Sequence, residues 1–263
     1  MKDLTIEVTN HCSLNCVHCS SSANSEGNIF MSTEYLRKIL EEFGDFEHVR
    51  LSGGEPFEHI NIERLCEQVK SANRELELLS SGVCYKSHIP KSLLRLCKKN
   101  IDNVVFSLYG RKEIHDNVCR ADAYDHLTKS VALASDEGVP FSFHTIALRQ
   151  NAAEIEDVFQ YIAAVNPLGE KPKLRIMRLI KQGRAEENEN LALSKRELQG
   201  FVEHTKQLSE KYGIPTTYSG SLLEEGCTCG SDKAVVTVYG ERIGCSALKF
   251  GTRSGHFACR QRW

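Results

Sequence analysis

The sequence has little that would direct the chain into a membrane, out of the cell or onto nucleic acid. No hydrophobic run is long enough to span a bilayer, and the first residues lack the apolar core of a secretory signal. A net charge of −2 gives no overall attraction to nucleic acid. The sequence therefore predicts a cytoplasmic protein with no membrane or nucleic-acid partner.

The length and the cysteine content indicate the number of domains and the kind of compartment. A chain of 263 residues suits one large domain, or one domain with a small appendage. Eleven cysteines in such a chain fit a reducing compartment with metal sites better than a secreted disulfide framework.

Three cysteines, Cys12, Cys16 and Cys19, lie close together after the first predicted strand. Their C-x3-C-x2-C spacing puts three thiolates on one short loop, which can hold three irons of a cubane cluster and leave the fourth iron open. Three thiolates can equally be three of the four ligands of a structural zinc. The spacing by itself leaves both interpretations open.

A second motif, Gly53-Gly54-Glu55-Pro56, ends the second predicted strand. Two residues without Cβ let the backbone approach a ligand closely, and the carboxylate adds a negative charge. A simple turn from strand to helix would use the same glycines. Taken together in this order, the two motifs resemble those of the radical S-adenosylmethionine (SAM) superfamily.

The resemblance implies a set of cofactors and a type of chemistry. Cys12, Cys16 and Cys19 would hold a [4Fe–4S] cluster whose open iron binds SAM, and residues 53–56 would line the methionine end of SAM. An electron from an external donor, such as flavodoxin or ferredoxin, would cleave SAM to a 5′-deoxyadenosyl radical that abstracts a hydrogen atom from the substrate. The resemblance thus implies an enzyme.

Three further residues are SAM-binding candidates by the same resemblance. Ser107 ends the fourth predicted strand in a Ser-Leu-Tyr-Gly run similar to the family's Ser-Leu-Asp-Gly, although a structural hydroxyl is the alternative. Arg120 lies near where relatives place an arginine for the SAM carboxylate, although surface arginines are common. His18 precedes Cys19, where the family often has an aromatic ring near adenine.

Other residues at the strand ends are weaker candidates. Cys84 and Cys119 follow the third and fourth predicted strands. A thiol there could donate a hydrogen atom to a product radical, because S–H bonds are weaker than most C–H bonds; loop cysteines without a role are the alternative. His144, on the fifth predicted strand, can point into the barrel or be a core histidine, and the core position is favoured. Arg178 and residues 183–185 resemble a region that faces substrate in family members with C-terminal clusters.

Strand-like and helix-like segments alternate along the chain. The six predicted strands are Leu4 to Thr9, His48 to Ser52, Glu75 to Ser80, Asn103 to Leu108, Pro140 to Leu148 and Lys173 to Ile180. Apolar residues with a period of 3.6 predict helices between them, the first capped by Ser32 and the last running from Ser194 to Gly213. Six such units favour an α/β fold with a parallel sheet, built as a partial, open (β/α)6 barrel with ligands at the carboxyl ends of the strands.

Four more cysteines lie near the C-terminus, around a predicted β-hairpin: Cys227, Cys229, Cys245 and Cys259. The pattern resembles the Twitch and SPASM extensions, and implies one auxiliary [4Fe–4S] cluster. Four cysteines around a hairpin also describe a zinc ribbon, and Cys229 stands where a small residue is usual, so it could be a bystander. The predicted domains are a barrel, residues 1–213, and a cysteine-rich hairpin extension, residues 214–263.

The resemblance also ranks the substrate classes. Peptide modification (epimerisation, crosslinking or oxidation) is the largest category among relatives with auxiliary clusters and comes first. A first strand at residue 4 leaves no room for an N-terminal leader-peptide domain, which favours the alternative of a small molecule such as a sugar or aminocyclitol. A non-catalytic iron–sulfur or zinc protein is the third interpretation, and the motif at residues 53–56 argues against it because a scaffold needs no SAM site.

Overall fold

The computed structural model describes residues 2–165, 171–219, 222 and 232–251, which form an α/β protein. The strands are β1 Asp3–Thr9, β2 His48–Gly53, β3 Glu75–Ser80, β4 Val83–Cys84, β5 Ser87–His88, β6 Asn103–Ser107, β7 Phe141–Ala147, β8 Leu174–Arg178, β9 Thr216–Tyr218, β10 Lys233–Val236 and β11 Arg242–Ile243. The helices are α1 Thr33–Glu42, α2 Ile62–Ser71, α3 Lys91–Lys98, α4 Lys112–Cys119, α5 Tyr124–Asp136, α6 Glu156–Val165 and α7 Lys195–Tyr212.

One mostly parallel sheet runs through the molecule in the order β11-β10-β1-β2-β3-β6-β7-β8-β9. Every neighbouring pair in it is parallel except β10 and β11, which form an antiparallel hairpin. The six predicted strands correspond to β1, β2, β3, β6, β7 and β8. The prediction of an α/β fold with a partial, open (β/α)6 barrel is confirmed.

Three short strands, β9, β10 and β11, extend the sheet beyond the six predicted ones. β9 pairs with β8, and β10 pairs with β1 on the other side of the sheet. β9 has three residues, too few to give a clear alternating pattern in the sequence. β10 and β11 correspond to the predicted hairpin. The hairpin after residue 213 thus joins the main sheet, while the division into two domains stays a prediction.

Local signals explain where the helices begin and end. The Ser32 side chain accepts a hydrogen bond from the Tyr35 backbone N–H at the start of α1. At α7, Ser194 and Glu197 form a reciprocal capping box, and Gly213 ends the helix in the left-handed conformation with φ 60°. The predicted ends at Ser32 and Gly213 are confirmed.

Alternation along the strands separates a core face from an inner face. On β1, Leu4, Ile6 and Val8 are fully buried against the helices, and each such side chain contributes about 1.5–3 kcal/mol of stability. The alternate residues of β1, which include Asp3 and Glu7, turn to the inner face. Among the described residues, none of the helices combines the length and the apolarity needed to cross a bilayer.

Candidate active site

The cysteine loop, residues 10–24, follows the carboxyl end of β1 and carries Cys12, Cys16 and Cys19. A hydrogen bond of 2.9 Å from the Cys12 N–H to the Asn24 carbonyl joins its two ends. The three thiols therefore stand at the end of the sheet where ligands bind in folds of this type.

Packing against α4 holds the cysteine loop in place. Leu14 and Val17 are buried in a small apolar cluster that also contains Val118 and Tyr109. The Val17 N–H donates to the Val118 carbonyl at 2.9 Å. Because both side chains and backbone of the loop are engaged, its conformation is part of the folded core.

The surroundings of the three thiols disfavour free thiolates. Burial, followed by the charge of Glu55, raises the pKa of Cys12 far above its usual range. A hydrogen bond with Cys119, together with burial, raises the pKa of Cys16, and burial raises that of Cys19. Cationic irons that bind the thiolates would offset this cost, so the donor set fits an iron–sulfur cluster.

The two glycines of the second motif lie directly against the cysteine loop. The Gly54 N–H donates to the Thr9 carbonyl at 2.6 Å, and the Glu55 N–H donates to the His11 carbonyl at 2.8 Å. A Cβ on Gly54 would lie 1.9 Å from the His11 carbonyl oxygen, and Gly53 has φ 119°. The glycines are thus required by the approach of the loop backbone, and their contact with SAM stays a prediction.

The carboxylate of Glu55 ties β2 to the end of β3. It is 1% exposed, and it accepts hydrogen bonds from the Ser80 hydroxyl, the Ser81 N–H and hydroxyl, and the Phe57 N–H. Burial outweighs these hydrogen bonds and raises the pKa of Glu55 to about 7. Four donors already surround this carboxylate, and its proximity to Cys12 places it beside the proposed cluster.

A second buried carboxylate, Glu58, was not singled out by the sequence. It is fully buried and accepts hydrogen bonds from the Ser13 N–H at 2.9 Å, from the Ser13 hydroxyl and from the Tyr85 N–H at 2.6 Å. His11 Nε2 lies 3.3 Å from it. Glu58 therefore anchors the first half of the cysteine loop, and the only signal for it was its place three residues after Glu55.

His18 offers a flat ring with an unused polar atom. Its ring meets the edge of Tyr109 at a centroid distance of 4.8 Å. Its Nε2 is buried, with no hydrogen-bond partner in the part of the chain that the structure describes. Burial lowers the pKa of His18 to about 4, so the ring is neutral at pH 7. A buried, unsatisfied nitrogen beside the thiols fits a ligand such as SAM, while the contact itself stays a prediction.

Ser107 and His144 are neighbours in the pairing of β6 with β7. Ser107 ends β6, two residues before the buried Tyr109, and its role toward SAM stays a prediction. Phe143 and Thr145 are fully buried on the core face. Alternation therefore turns His144 to the inner face, and the expectation of a core histidine is wrong. Burial lowers its pKa to about 3 and keeps it neutral.

Arg120 and the two candidate thiols occupy different environments. Arg120 ends α4 in the left-handed conformation, φ 54°, with an exposed side chain. Cys119 is 1% exposed, and its sulfur lies 3.5 Å from His115 Nε2. Cys84 is also buried and donates to the Phe57 carbonyl. Neither thiol is on an open rim, and the proposed roles of all three residues stay predictions.

The segment after β8 contacts the cysteine loop, where the resemblance led us to expect contact with substrate. Arg178 is exposed at the end of β8. Arg184 donates from Nε to the Cys16 carbonyl and from Nη2 to the Ala23 carbonyl, both at 2.8 Å. The guanidinium of Arg184 is thus engaged by backbone carbonyls, and the contact of this region with substrate stays a prediction.

A short 3-10 helix, Ser246–Gly251, docks on the inner face near the cysteine loop. Gln182 donates to the carbonyls of Ala247 and Lys249 at 2.7 and 3.0 Å. Lys249 is 5% exposed; it forms a buried ion pair with Glu7 and donates to the Ser21 hydroxyl oxygen at 2.8 Å. The C-terminal segment is thereby connected to the loop that carries the three thiols.

Of the four C-terminal cysteines, the structure describes one. Cys245 is half-buried just before this 3-10 helix, and its sulfur accepts a hydrogen bond from the Ala247 N–H. Cys227, Cys229 and Cys259 lie outside the described residues. Among the residues that are described, no three histidine, cysteine or acidic side chains converge on a single metal ion. An auxiliary cluster stays a prediction.

An open cavity of about 600 Å³ lies beside the cysteine loop. Its walls include Asn10 and Asn24 of the loop, Glu186 and Glu187 after β8, and Tyr239 in the turn between β10 and β11. The volume is in the range of known small-ligand sites. The walls are polar and carry carboxylates, so the cavity suits a polar or cationic group.

Sequence comparisons identify related proteins. A family model described as the radical SAM superfamily matches residues 6–162, which is more than half of the chain. The chain is 26% identical over 175 residues to a probable GTP 3′,8-cyclase of Saccharolobus islandicus, covering 64% of this chain and 54% of the relative. It is 25% identical over 217 residues to an Fe-coproporphyrin III synthase of Methanosarcina barkeri, covering 79% and 52%. The chain thus spans about half the length of these curated relatives.

Two solved structures share the fold. SuiB of Streptococcus suis, bound to the precursor peptide SuiA, matches with a TM-score of 0.79 at 15% identity, covering 95% of this chain and 60% of SuiB. Native anSMEcpe with bound AdoMet and the Cp18Cys peptide matches with a TM-score of 0.69 at 19% identity, covering 93% and 74%. At these identities the likeness shows the fold alone.

Proposed function

Because the chain belongs to the radical SAM superfamily, we propose that this enzyme modifies a peptide by radical chemistry that begins from SAM. Cys12, Cys16 and Cys19 would hold the [4Fe–4S] cluster to which SAM binds. When bound, cluster and SAM supply a 5′-deoxyadenosyl radical after one electron arrives from an external donor such as flavodoxin or ferredoxin. The observation that carries the proposal is the packed cysteine loop held against Gly54 at the carboxyl end of β1.

The remaining site residues would bind and orient the cofactor. The neutral ring of His18 would lie near adenine, where its unsatisfied nitrogen gains a partner. Ser107 and Arg120 would contact the ribose or the carboxylate of SAM. Burial raises the pKa of Cys84 to about 12, so this thiol keeps its hydrogen at pH 7. We propose Cys84 and the buried Cys119 as hydrogen-atom donors.

We further propose an auxiliary [4Fe–4S] cluster on the C-terminal cysteines, with zinc as the alternative metal. Cys245 supports this, because it precedes a 3-10 helix docked beside the cysteine loop. Anaerobic reconstitution with iron and sulfide counts tests it. Two clusters would give about eight irons per chain, falling to about four in a Cys12/Cys16/Cys19→Ala triple variant. About four irons falling to none, with zinc retained, would contradict the auxiliary cluster.

The peptide substrate is favoured by the open, polar cavity beside the cysteine loop, which can admit a segment of a longer chain. SuiB and anSMEcpe, which share the fold, are described in complex with peptides. A small-molecule substrate is the second candidate. It is favoured by the sequence relatives, whose names specify a nucleotide and a porphyrin.

Production of 5′-deoxyadenosine tests the enzyme class. The reconstituted protein should form it slowly from SAM and dithionite without substrate, and the triple cysteine variant should form none. Equal production by both would contradict the assignment of the cluster, and production by neither would favour a non-catalytic metal protein.

The substrate class can be tested by stimulation of the same reaction. A cell extract is divided by ultrafiltration into polypeptides and small molecules, and each fraction is added with SAM and dithionite. We expect the polypeptide fraction to accelerate 5′-deoxyadenosine formation and protease treatment to abolish the effect. Stimulation by the small-molecule fraction, with no effect of protease, would replace the peptide with the second candidate.

A further inference from the structure

Arg184 makes three contacts with the backbone of the cysteine loop. Its side chain donates to the carbonyls of Cys16 and Ala23, both at 2.8 Å, and its own N–H donates to the Cys19 carbonyl at 3.1 Å. Two of the three acceptors belong to predicted cluster ligands. Arg184, which follows β8, thus holds the cysteine loop at its middle and at its end.

The neighbours of Arg184 fit the loop equally closely. Gly183 has φ 56°, and a Cβ there would lie 2.6 Å from the Cys19 carbonyl oxygen. Asn188 donates to the Val17 carbonyl at 3.4 Å and to the Arg184 carbonyl at 2.7 Å. Residues 183–188 therefore form a clamp whose shape matches the cysteine loop.

The acceptors of the guanidinium are neutral. Within the part of the chain that the structure describes, Arg184 meets carbonyl oxygens and forms no ion pair with a carboxylate. Its positive charge is therefore not cancelled by a neighbouring carboxylate, beside a loop whose thiolates would carry negative charge. Net charge near an iron–sulfur cluster is one of the factors that set its reduction potential. A fixed cation stabilises the reduced, more negative state.

We propose that Arg184 is a positioning residue that holds the cysteine loop in its ligand-bearing conformation before metal binds, and that its charge raises the reduction potential of the SAM-binding cluster. The effect on the reduction potential rests on the proposed cluster at Cys12, Cys16 and Cys19. The positioning role concerns the metal-free protein and does not depend on that cluster.

Hydrogen exchange of the metal-free protein tests the clamp. Arg184→Met removes both the charge and the guanidinium. Arg184→Lys keeps the charge but loses the planar guanidinium that donates to two carbonyls at once. Arg149→Met is the matched control, because Arg149 also donates to a carbonyl, that of Ala192, but on the surface. We expect amides in the cysteine loop to exchange about tenfold faster in both Arg184 variants, with the strands unchanged. Unchanged exchange in the loop would overturn the clamp.

A redox titration followed by electron paramagnetic resonance tests the charge, using the signal that changes when SAM is added. In Arg184→Met we expect the reduction equilibrium to shift about tenfold toward the oxidised cluster, which is ~59 mV for one electron. Arg184→Lys and Arg149→Met should keep the parent potential. An unchanged potential in Arg184→Met, or an equal loss in Arg184→Lys, would overturn the role of the charge. A parent protein without a SAM-responsive signal would contradict the proposed function, while hydrogen exchange would still decide the clamp.

Discussion

The two ends of the barrel differ in what most of their charged side chains contact. At the amino ends of the strands, Asp3, His48, Arg50 and Glu77 form an amino-end ion cluster on the inner face. Arg50 lies 2.8 Å from Glu77 and 3.1 Å from Asp3, and His48 lies 2.9 Å from Asp3. Each charge in this cluster is matched by another side chain.

At the carboxyl ends, two charged groups meet the backbone of the cysteine loop, beside the ion pair of Lys249 with Glu7. Glu58 accepts from backbone N–H groups, and Arg184 donates to backbone carbonyls. This arrangement holds the cysteine loop, and among the described residues it leaves the Nε2 atom of His18 without a hydrogen-bond partner. We infer that the amino end mainly stabilises the fold, while the carboxyl end holds the loop that binds cofactors. Variants at the two ends should therefore separate effects on stability from effects on binding.

The largest loss of stability should follow Arg50→Met. The variant leaves the half-buried Asp3 and Glu77 with His48 as an ion-pair partner, and Glu77 also keeps a hydrogen bond from Asn103. Removing one member of a fully buried ion pair typically costs about 3–5 kcal/mol, and we expect the lower end of that range because these side chains are partly exposed. Urea unfolding should show this loss, while 5′-deoxyadenosine formation per folded molecule should match the parent. Loss of SAM cleavage with stability intact would break the comparison.

Gly54→Ala should act at the carboxyl end. The added Cβ would overlap the His11 carbonyl, so the cysteine loop must move. Overpacking of this kind costs about 1–3 kcal/mol, and we expect the upper end of that range together with loss of bound iron. The control is Gly200→Ala in α7, where nothing lies within 4 Å of the new Cβ. It should stabilise the protein by about 0.5–1 kcal/mol. Iron content equal to that of the parent in Gly54→Ala would contradict the close approach.

Glu58→Gln should have a smaller effect on stability but a clear effect on the loop. The amide turns one acceptor oxygen into a donor that faces either the Ser13 N–H or the Tyr85 N–H, which bond different oxygens of Glu58. An unsatisfied buried group costs about 1–3 kcal/mol. We expect weaker retention of iron under chelator challenge. The control is Glu41→Gln, whose exposed pair with Arg37 is worth about 0–1 kcal/mol. Equal iron retention in the two variants would remove Glu58 from the anchoring of the loop.

The sequence predicted those parts of the molecule that depend on neighbours along the chain. The cysteine spacing, the cap at Ser32 and the apolar stripes of the helices all act within a few residues, and the six main strands have enough residues to show a pattern. The same local signals placed the cysteine loop and the Gly53-Gly54 turn at strand ends. They could not show that the loop backbone itself requires these glycines.

The contacts that hold the cysteine loop were not predictable because their partners are distant in sequence. Arg184 and Cys16 are separated by 168 residues, and Lys249 and Glu7 by 242. Such contacts form only when the folded sheet brings the end of β8 and the 3-10 helix Ser246–Gly251 close to β1. Arg184 and Lys249 look like surface residues in the sequence, where long cationic side chains are most often exposed.

His48 should have the smallest effect on the free energy of unfolding. Its effect depends on pH, which allows the pH dependence of stability to be assigned to one end of the barrel. Burial alone would lower its pKa, but hydrogen bonds to Asp3 and Glu77 outweigh burial and raise the pKa to about 9. A histidine with a raised folded pKa stabilises fully below its unfolded value near 6.5, and this stability is lost as the pH rises through 9. With solvent screening, we expect a fall of about 1–2 kcal/mol across that window.

At the carboxyl end, burial raises the pKa of Glu55 to about 7. The free energy of unfolding therefore falls between about pH 4.5 and 7 because of Glu55, before the fall caused by His48 is complete. Urea unfolding at several pH values, with His48→Gln beside the parent, separates the two. The variant should lose the fall between pH 7.5 and 9 and keep the one below 7. If His48→Gln retains the fall above pH 7.5, the amino-end ion cluster is not its source, and the division of labour between the two ends fails.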